Sequence, residues 1–325
     1  MTMPNRDDLP AAPEDQKGWP WTLGRAAADR SAADRPAGSA RVDLPKISII
    51  TPSFQQGEFL EQSIRSVLLQ GYPNLEYQVL DGGSRDASPR IIERYRPWLS
   101  YARSEPDGGQ SQTLNEGLDR ATGDILAWMN SDDVYQPGAL WTAARYLAGR
   151  SRAMLVGTSI LTDGPGSLEG RRDVRFPSLA AMLYEARSFP QPSVFFTRDL
   201  WQAAGPIDES LYFAMDYDLW LRMVPRARQI FFIDDGLSVA RTHPDQKGQR
   251  AAQDGDEDRF VGQRVRASLA GARTLGLPAA WWLGQIWGRR IAKAWRLRRA
   301  SMLRGALFHR AAWRLFWRPG TVRRR

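Results

Sequence analysis

From residue 46 the chain alternates short apolar runs with stretches whose apolar residues recur at helical spacing. Residues 46–51 form a β-rich run with Ile47, Ile49 and Ile50, read as a buried strand. Residues 57–70 place Leu60, Ile64, Val67 and Leu68 on one helical face, and Gly71-Tyr72-Pro73-Asn74 stops that helix. The alternation continues with a strand at 77–81, a helix at 87–95, a strand at 101–103, a helix at 110–121 and a strand at 124–130. Pro137, taken as the first helical residue, opens a helix to Leu147. This order predicts βαβ units and a parallel sheet. The second half is more mixed. It predicts strands at 153–161, 193–196, 229–233 and 237–240, a turn at 163–166, and helices at 178–186, 198–204 and 216–224.

In parallel sheets of this kind ligands sit at the carboxyl ends of the strands. Three predicted strand ends carry hydroxyls or carboxylates: Thr51-Pro52-Ser53, Asp81-Gly82-Gly83-Ser84 and Asn130-Ser131-Asp132-Asp133. That pattern suits a nucleotide site with metal chemistry. Adjacent carboxylates such as Asp132 and Asp133 crowd each other when buried, and a divalent cation relieves the repulsion; a solvated turn is the other reading of the motif.

Composition narrows the chemistry. The 325 residues include no Cys and two His, which excludes disulfide scaffolds, thiolate metal sites, Cys nucleophiles and multi-histidine centres. A metal here is held mostly by carboxylates, which favours Mg²⁺ or Mn²⁺. No GxGxxG, GxxxxGK[ST] or GxSxG pattern occurs, so dinucleotide-binding, P-loop and hydrolase-elbow readings lack support.

The quoted strand ends lie within longer segments that resemble a known family. The pieces are ISIITPSFQQGEFLEQSIRSVLLQGYPNLEYQVLDGGSRD, SEPDGGQSQTLNEGLDRATGDILAWMNSDD, QPSVFF, FAMDYDLWLR and RTHPDQK, in that order over residues 46–247. Together they resemble the family 2 glycosyltransferases of the bacterial cell-surface glycan type. The resemblance implies an α/β GT-A (nucleotide-diphospho-sugar transferase) fold, with a Rossmann-like, mostly parallel sheet flanked by helices. It also implies an inverting enzyme that moves a sugar from a nucleotide-sugar donor, UDP- or dTDP-linked before GDP-linked, to a glycan or lipid-linked acceptor.

Carried over residue by residue, the resemblance assigns Thr51, Pro52 and Ser53 to the nucleoside pocket and Asp81 to the donor base. Many relatives have a second Asp where this chain has Gly82. Asp107 and Gln110 fall before the helix that faces the donor. Asp133 is the expected metal ligand, and Asp132 is expected on ribose or sugar hydroxyls. Asp216 matches the catalytic base, with Met215 before it where the family often has Glu; an N-cap is its bland alternative. Asp218, Trp220 and Arg222 read as helix-start or structural residues. His243 is expected on metal or phosphate, and Lys247 on the diphosphate. Gln191 and Ser193 fall where acceptor-side residues are expected.

Charge separates the rest of the chain. Residues 259–325 carry 17 basic and no acidic side chains, which leaves −8 of the net +9 on residues 1–258. Six of the thirteen Trp lie in the same 67 residues, interleaved with Arg. A basic helix with Trp and Leu on its other face suits an anionic membrane surface; packing on the domain is the alternative, and no nucleic acid is expected. The expected organisation is a flexible arm at 1–44, a glycosyltransferase domain at 45–250 and a basic helical C-terminal extension at 251–325. No stretch reads as a transmembrane helix or a secretory signal, so the expected location is cytoplasmic, peripheral on the inner face of the membrane. A sugar-1-phosphate nucleotidyltransferase is disfavoured because 51–57 holds no basic residue. The reading from a different class is a catalytically inactive, membrane-associated sugar-nucleotide binding or scaffold protein.

Overall fold

Strand β1 (Ile47–Ser53) runs through the middle of the molecule, buried over its whole length. A strand covered on both faces reads as a nearly continuous apolar run, as this one does. The computed structural model describes residues 4–22, 44–162, 170–172, 182, 188–247, 262–264, 266–268 and 270–271. The strands beside β1 are β2 (Leu75–Asp81) and β4 (Ile125–Trp128), both parallel to it, and β3 (Tyr101–Ser104) lies parallel beyond β2. Ile47 stands opposite Leu75 on one side and Ile125 on the other, and Ser53 stands opposite Asp81. The polar ends of these strands therefore finish side by side.

Beyond β4 the sheet becomes mixed. The order is β3-β2-β1-β4, then β8 (Val194–Thr197), β6 (Ala153–Thr162), β9 (Gln229–Arg241) and β5 (Val134–Tyr135), with β7 (Gly170–Arg172) on β6. β8 pairs antiparallel with both β4 and β6, while β6 runs parallel to β9. β5, two residues that show no sequence periodicity, is antiparallel to β9.

Alternation along β1 and β2 feeds two cores. Ile47, Ile49 and Val79 pack with α1 (Leu60–Leu68), α2 (Ser88–Tyr95) and α4 (Ala139–Leu147). Ile50 and Leu80 pack with α3 (Gln110–Arg120), α5 (Arg198–Ala204) and α6 (Met215–Met223). Trp128 stacks on Trp220 in the second core with centroids 5.3 Å apart, which confirms a structural task for Trp220.

Three expectations change. Pro137 does not begin a helix: Gly138, at φ 85, caps α4, which starts at Ala139. The two strands expected at 229–233 and 237–240 are one strand, because an irregularity in the β6 pairing absorbs Asp234-Asp235-Gly236. Ser193 belongs to a 3-10 turn (Gln191–Ser193) that precedes β8. The turn at 163–166 and, apart from Met182, the helix at 178–186 lie outside the described residues.

Part of the expected arm is packed. Trp19 Nε1 donates to the Tyr135 carbonyl at 2.7 Å, and Leu9 and Trp21 are buried. The buried Arg65 guanidinium lies 5.0 Å from the Trp21 ring and donates to the Pro10 carbonyl at 2.8 Å. At the other end, Ala267 and Ser268 are buried, and the Ser268 hydroxyl meets the Tyr217 hydroxyl of α6 at 2.8 Å. Ala267 and Ser268 of the expected extension are therefore packed, while 248–261 and 272–325 lie outside the described residues. Among the described residues no helix is long and apolar enough to cross a membrane.

Candidate active site

A cleft of about 680 Å³ opens where the parallel strands end. Its volume suits a substrate of nucleotide size. Pro52 and Ser53, which end β1, and Phe54 after them lie on one side; Tyr212, Phe213 and Asp216, at and before the start of α6, line the other. Asp107 to Gln110, Asn130 to Asp132, Gln191, Asp245 and Lys247 are also among the lining residues. Of the expected site residues, the fold brings Pro52, Ser53, Asp107, Gln110, Asp132, Gln191, Asp216 and Lys247 to this one cavity.

Four expected residues take other tasks. Thr51 is buried, its hydroxyl 3.0 Å from the Tyr77 hydroxyl inside the sheet. The Asp81 carboxylate is also buried and accepts from Ser84 N at 2.8 Å, Ser84 Oγ at 2.5 Å and Ser104 Oγ at 2.7 Å. It braces the turn after β2, and Gly82 forms the cleft wall instead. Any Cβ at position 82 would stand 3.1 Å from both carboxylate oxygens of Asp107, so the Asp107 side chain occupies the space over that glycine. Asp107 is held there by Gly109 N at 2.8 Å and Thr113 Oγ1 at 2.6 Å. Ser193 is buried between the Thr158 carbonyl at 2.8 Å and Ser238 Oγ at 2.6 Å, away from the cleft.

The fourth is Asp133. Its carboxylate is buried and accepts the Arg241 amide at 3.1 Å. Burial, with Asp132 adding to it, pushes the Asp133 carboxyl well above the ordinary range, against the Arg241 amide. It is Asp132 that reaches the cleft, where Oδ2 lies 3.1 Å from His243 Nε2. The imidazole packs on the Phe59 ring with centroids 4.6 Å apart. The His243 pairing is therefore with Asp132, because the β9 backbone claims Asp133. Arg241 closes this corner: Nη1 donates to the Asp132 carbonyl at 2.7 Å, and Nη2 donates to Gln62 Oε1.

Asp216 is the second residue of α6, behind an N-cap at Ala214, so its carboxylate is not the cap. It faces the cleft, and its Oδ1 accepts the Tyr217 amide at 2.7 Å. Burial raises its pKa, against that amide and the charges of Arg264 and Lys247. A carboxylate so placed is a stronger base than one in water. Asp218 is buried and bound to Arg222 at 2.9 Å, the structural role expected of both.

Lys247 donates to Gln110 Oε1 at 3.1 Å and sits 3.8 Å from the centre of the Tyr212 ring. Sequence reasoning passed over Phe54, Asn130, Tyr212, Arg241 and Asp245. Phe54 and Tyr212 are the large hydrophobics left exposed among the described residues, at 62% and 47%, and both line the cleft. Phe54, directly after Ser53, carried a usable signal: an aromatic residue at a polar strand end.

Three or more His, Asp or Glu side chains gathered on one point are absent among the described residues. Asp132 and His243 nevertheless fit a divalent cation as two ligands. Mg²⁺ and its relatives commonly take one or two protein ligands and complete the shell from substrate phosphates.

Half-parallel sheet, two helical layers and a cleft across the strand ends define a GT-A type α/β domain. The chain belongs to glycosyl transferase family 2, whose sequence model matches residues 48–201. An uncharacterized glycosyltransferase of Mycobacterium tuberculosis (strain ATCC 25618 / H37Rv) is 31% identical over 183 residues, 55% of this chain and 68% of the relative. One from Rickettsia prowazekii (strain Madrid E) is 28% identical over 212 residues, and the match spans 64% of that relative's length and 61% of this chain. Among solved structures, S. aureus TarS 1–349 in complex with UDP-GlcNAc aligns with a TM-score of 0.57 at 20% identity, over 75% of this chain and 71% of that one. The mannosyltransferase PcManGT of Pyrobaculum calidifontis, in complex with GDP-Man and Mn²⁺, aligns with a TM-score of 0.50 at 20% identity, over 91% and 95%.

Proposed function

We propose that this chain is an inverting glycosyltransferase that moves a sugar from a nucleotide-sugar donor to an acceptor hydroxyl. The observation that carries the reading is one cleft holding Asp132 beside His243, the Lys247 ammonium and the Asp216 carboxylate. The exposed Phe54 ring offers a face for a nucleobase. Lys247 supplies a point charge for a diphosphate. Asp132 and His243 would hold Mg²⁺ or Mn²⁺, which, when bound, neutralises charge on the leaving diphosphate. TarS in complex with UDP-GlcNAc, and PcManGT in complex with GDP-Man and Mn²⁺, support a nucleotide-sugar donor.

Asp216 takes the proton from the acceptor hydroxyl as its oxygen bonds to the anomeric carbon. The bond from that carbon to the phosphate oxygen breaks, and the nucleoside diphosphate leaves with its electron pair. One displacement from the opposite face inverts the anomeric centre. The acceptor in this reading is a glycan or a lipid-linked glycan at an anionic membrane, met through 259–325, whose charge of +17 suits such a surface.

The test is a panel of nucleotide sugars with Mn²⁺, read by release of nucleoside diphosphate. Turnover with one donor, lost in Asp216→Asn while that donor still binds, supports the proposal. Full turnover in Asp216→Asn overturns the base assignment, and no binding of any nucleotide to folded protein overturns the donor reading.

A further inference from the structure

A chain of hydrogen bonds runs along the cleft lining through three side-chain amides. Lys247 Nζ donates to Gln110 Oε1 at 3.1 Å, and Gln110 Nε2 donates to Asn130 Oδ1 at 3.0 Å. Asn130 Nδ2 donates to Gln191 Oε1 at 2.9 Å, and Gln191 Nε2 donates to the Trp128 carbonyl at 2.9 Å. All four side chains line the cleft.

The two ends fix the direction of the chain. An ammonium only donates and a carbonyl only accepts. Gln110 must therefore turn its oxygen to Lys247, which turns its nitrogen to Asn130. Asn130 then turns its nitrogen to Gln191, and Gln191 its nitrogen to Trp128. Reversing any one amide sets nitrogen against nitrogen or oxygen against oxygen. Asp133 Oδ2, 3.5 Å from Asn130 Nδ2, favours the same orientation at the centre.

The ends also belong to different parts of the fold. Lys247 follows β9, Gln191 lies in the turn before β8, and Gln110 opens α3. We infer that Gln110 and Asn130 are positioning residues that couple the Lys247 ammonium to the Gln191 amide across the cleft, so that an anion at Lys247 and a group meeting Gln191 sense each other. An ammonium drawn toward a diphosphate shifts relative to Gln110, and each amide down the chain responds because its orientation depends on the one before. Lys247 as the diphosphate contact rests on the function proposed above; the chain itself does not.

The experiment compares Gln191→Met, Lys247→Met and the double variant, each with Asn130 intact and with Asn130→Ala. The affinity for UDP and for GDP, with Mn²⁺, is measured by calorimetry. Residues within one hydrogen-bond network couple non-additively, so Gln191→Met is expected to change nucleotide affinity about two- to tenfold. That effect disappears in Lys247→Met and in Asn130→Ala. Additive effects, or a Gln191→Met effect that persists without Asn130, overturn the inference.

A ligand-free measurement separates this from the donor reading. The side-chain amide resonance of Gln191 is followed by nitrogen–proton NMR on the full chain. Lys247→Met is expected to shift it, and not to shift it once Asn130→Ala is present. If neither nucleotide binds, UDP- and GDP-linked donors are excluded, and the NMR shift still decides the coupling. A Gln191 resonance that does not respond to Lys247→Met overturns it.

Discussion

His243 Nε2 lies 3.1 Å from Asp132 Oδ2 at the edge of the cleft, while the carboxylate of Asp133, one residue on, turns inward to the Arg241 amide. Two adjacent aspartates thus divide into one that lines the cleft and one that holds β9 in place. Both lie in the turn between β4 and β5, where Asp133 N donates to the Asn130 carbonyl at 3.1 Å, and the Arg241 amide of β9 holds the second carboxylate inside.

The division predicts opposite phenotypes. A nucleotide bound at about a hundred times its Kd raises stability by about 2.7 kcal/mol. In Asp132→Asn and His243→Ala the metal-dependent part of that rise disappears, while the ligand-free melting temperature changes little. Asp133→Ala removes the acceptor of a buried amide and lowers ligand-free stability by about 1–3 kcal/mol. Thermal melts with and without Mn²⁺ and nucleotide check both. Loss of metal response only in Asp133→Ala would reverse the assignment.

The N-terminal arm predicts a second effect. Trp21 is buried against the Arg65 guanidinium, which also donates to Pro10 and to Tyr95 Oη at 3.0 Å. Trp21→Ala is expected to cost about 3–5 kcal/mol, as truncating a buried Trp does. Urea unfolding measures it. A wild-type midpoint for this variant would show that residues 4–22 are no part of the folded unit.

The first half of the fold was legible because each βαβ unit carries its own periodicity: Leu60, Ile64, Val67 and Leu68 mark one helical face, and all four are buried. The mixed half was less legible. β5 is two residues long and exists only because β9 lies beside it. Cleft residues were found where a polar side chain ends a strand, as at Ser53, or lies in the turn that follows one, as at Asp132. Asp81, Thr51 and Ser193 show the limit of that signal, since a polar residue at a strand end can equally be satisfied inside. Asn130 was missed because its role lies in its partners, Gln110 and Gln191, which are 20 and 61 positions away.

Glu76 predicts an acid-sensitive brace at the opposite end of the strands. Its carboxylate accepts from Thr122 N at 2.7 Å, Thr122 Oγ1 at 2.6 Å, Lys46 Nζ at 3.0 Å and the Ser48 hydroxyl. Burial works to raise its pKa, and these bonds outweigh it and bring the group down from 4.5 to about 2. A lowered folded-state pKa stabilises above the unfolded value, and that contribution is lost as pH falls toward the folded value. The shift corresponds to about 3 kcal/mol at neutral pH, lost between about pH 5 and pH 2. Glu76→Gln should therefore be less stable than wild type at pH 7, and the gap should narrow below pH 5 and close as pH falls to about 2. Urea titrations of both proteins across that range test it; a gap independent of pH would mean that packing, not charge, sets the effect.

Asp216 predicts the reverse sign and ties stability to activity. Its pKa is raised by burial, with the Tyr217 amide, Arg264 and Lys247 pulling it down less strongly. Between the unfolded and folded values the native state binds more proton than the unfolded chain, so stability falls as pH rises through that window. Above it, the ionised carboxylate remains a standing cost to the fold. Asp216→Asn removes the charge and keeps the shape, so it is expected to melt higher than wild type at pH 7. The same substitution removes the base, and positioned bases contribute about 10²- to 10⁴-fold. Transfer should fall by that factor with donor affinity preserved. The wild-type rate should also decline on the acid side above the ordinary aspartate range, because only the ionised form accepts the acceptor proton. A variant that melts higher and turns over normally would leave Asp216 as a buried charge with no part in the reaction. One that melts lower would show that the carboxylate's attraction to Arg264 and Lys247 outweighs its desolvation.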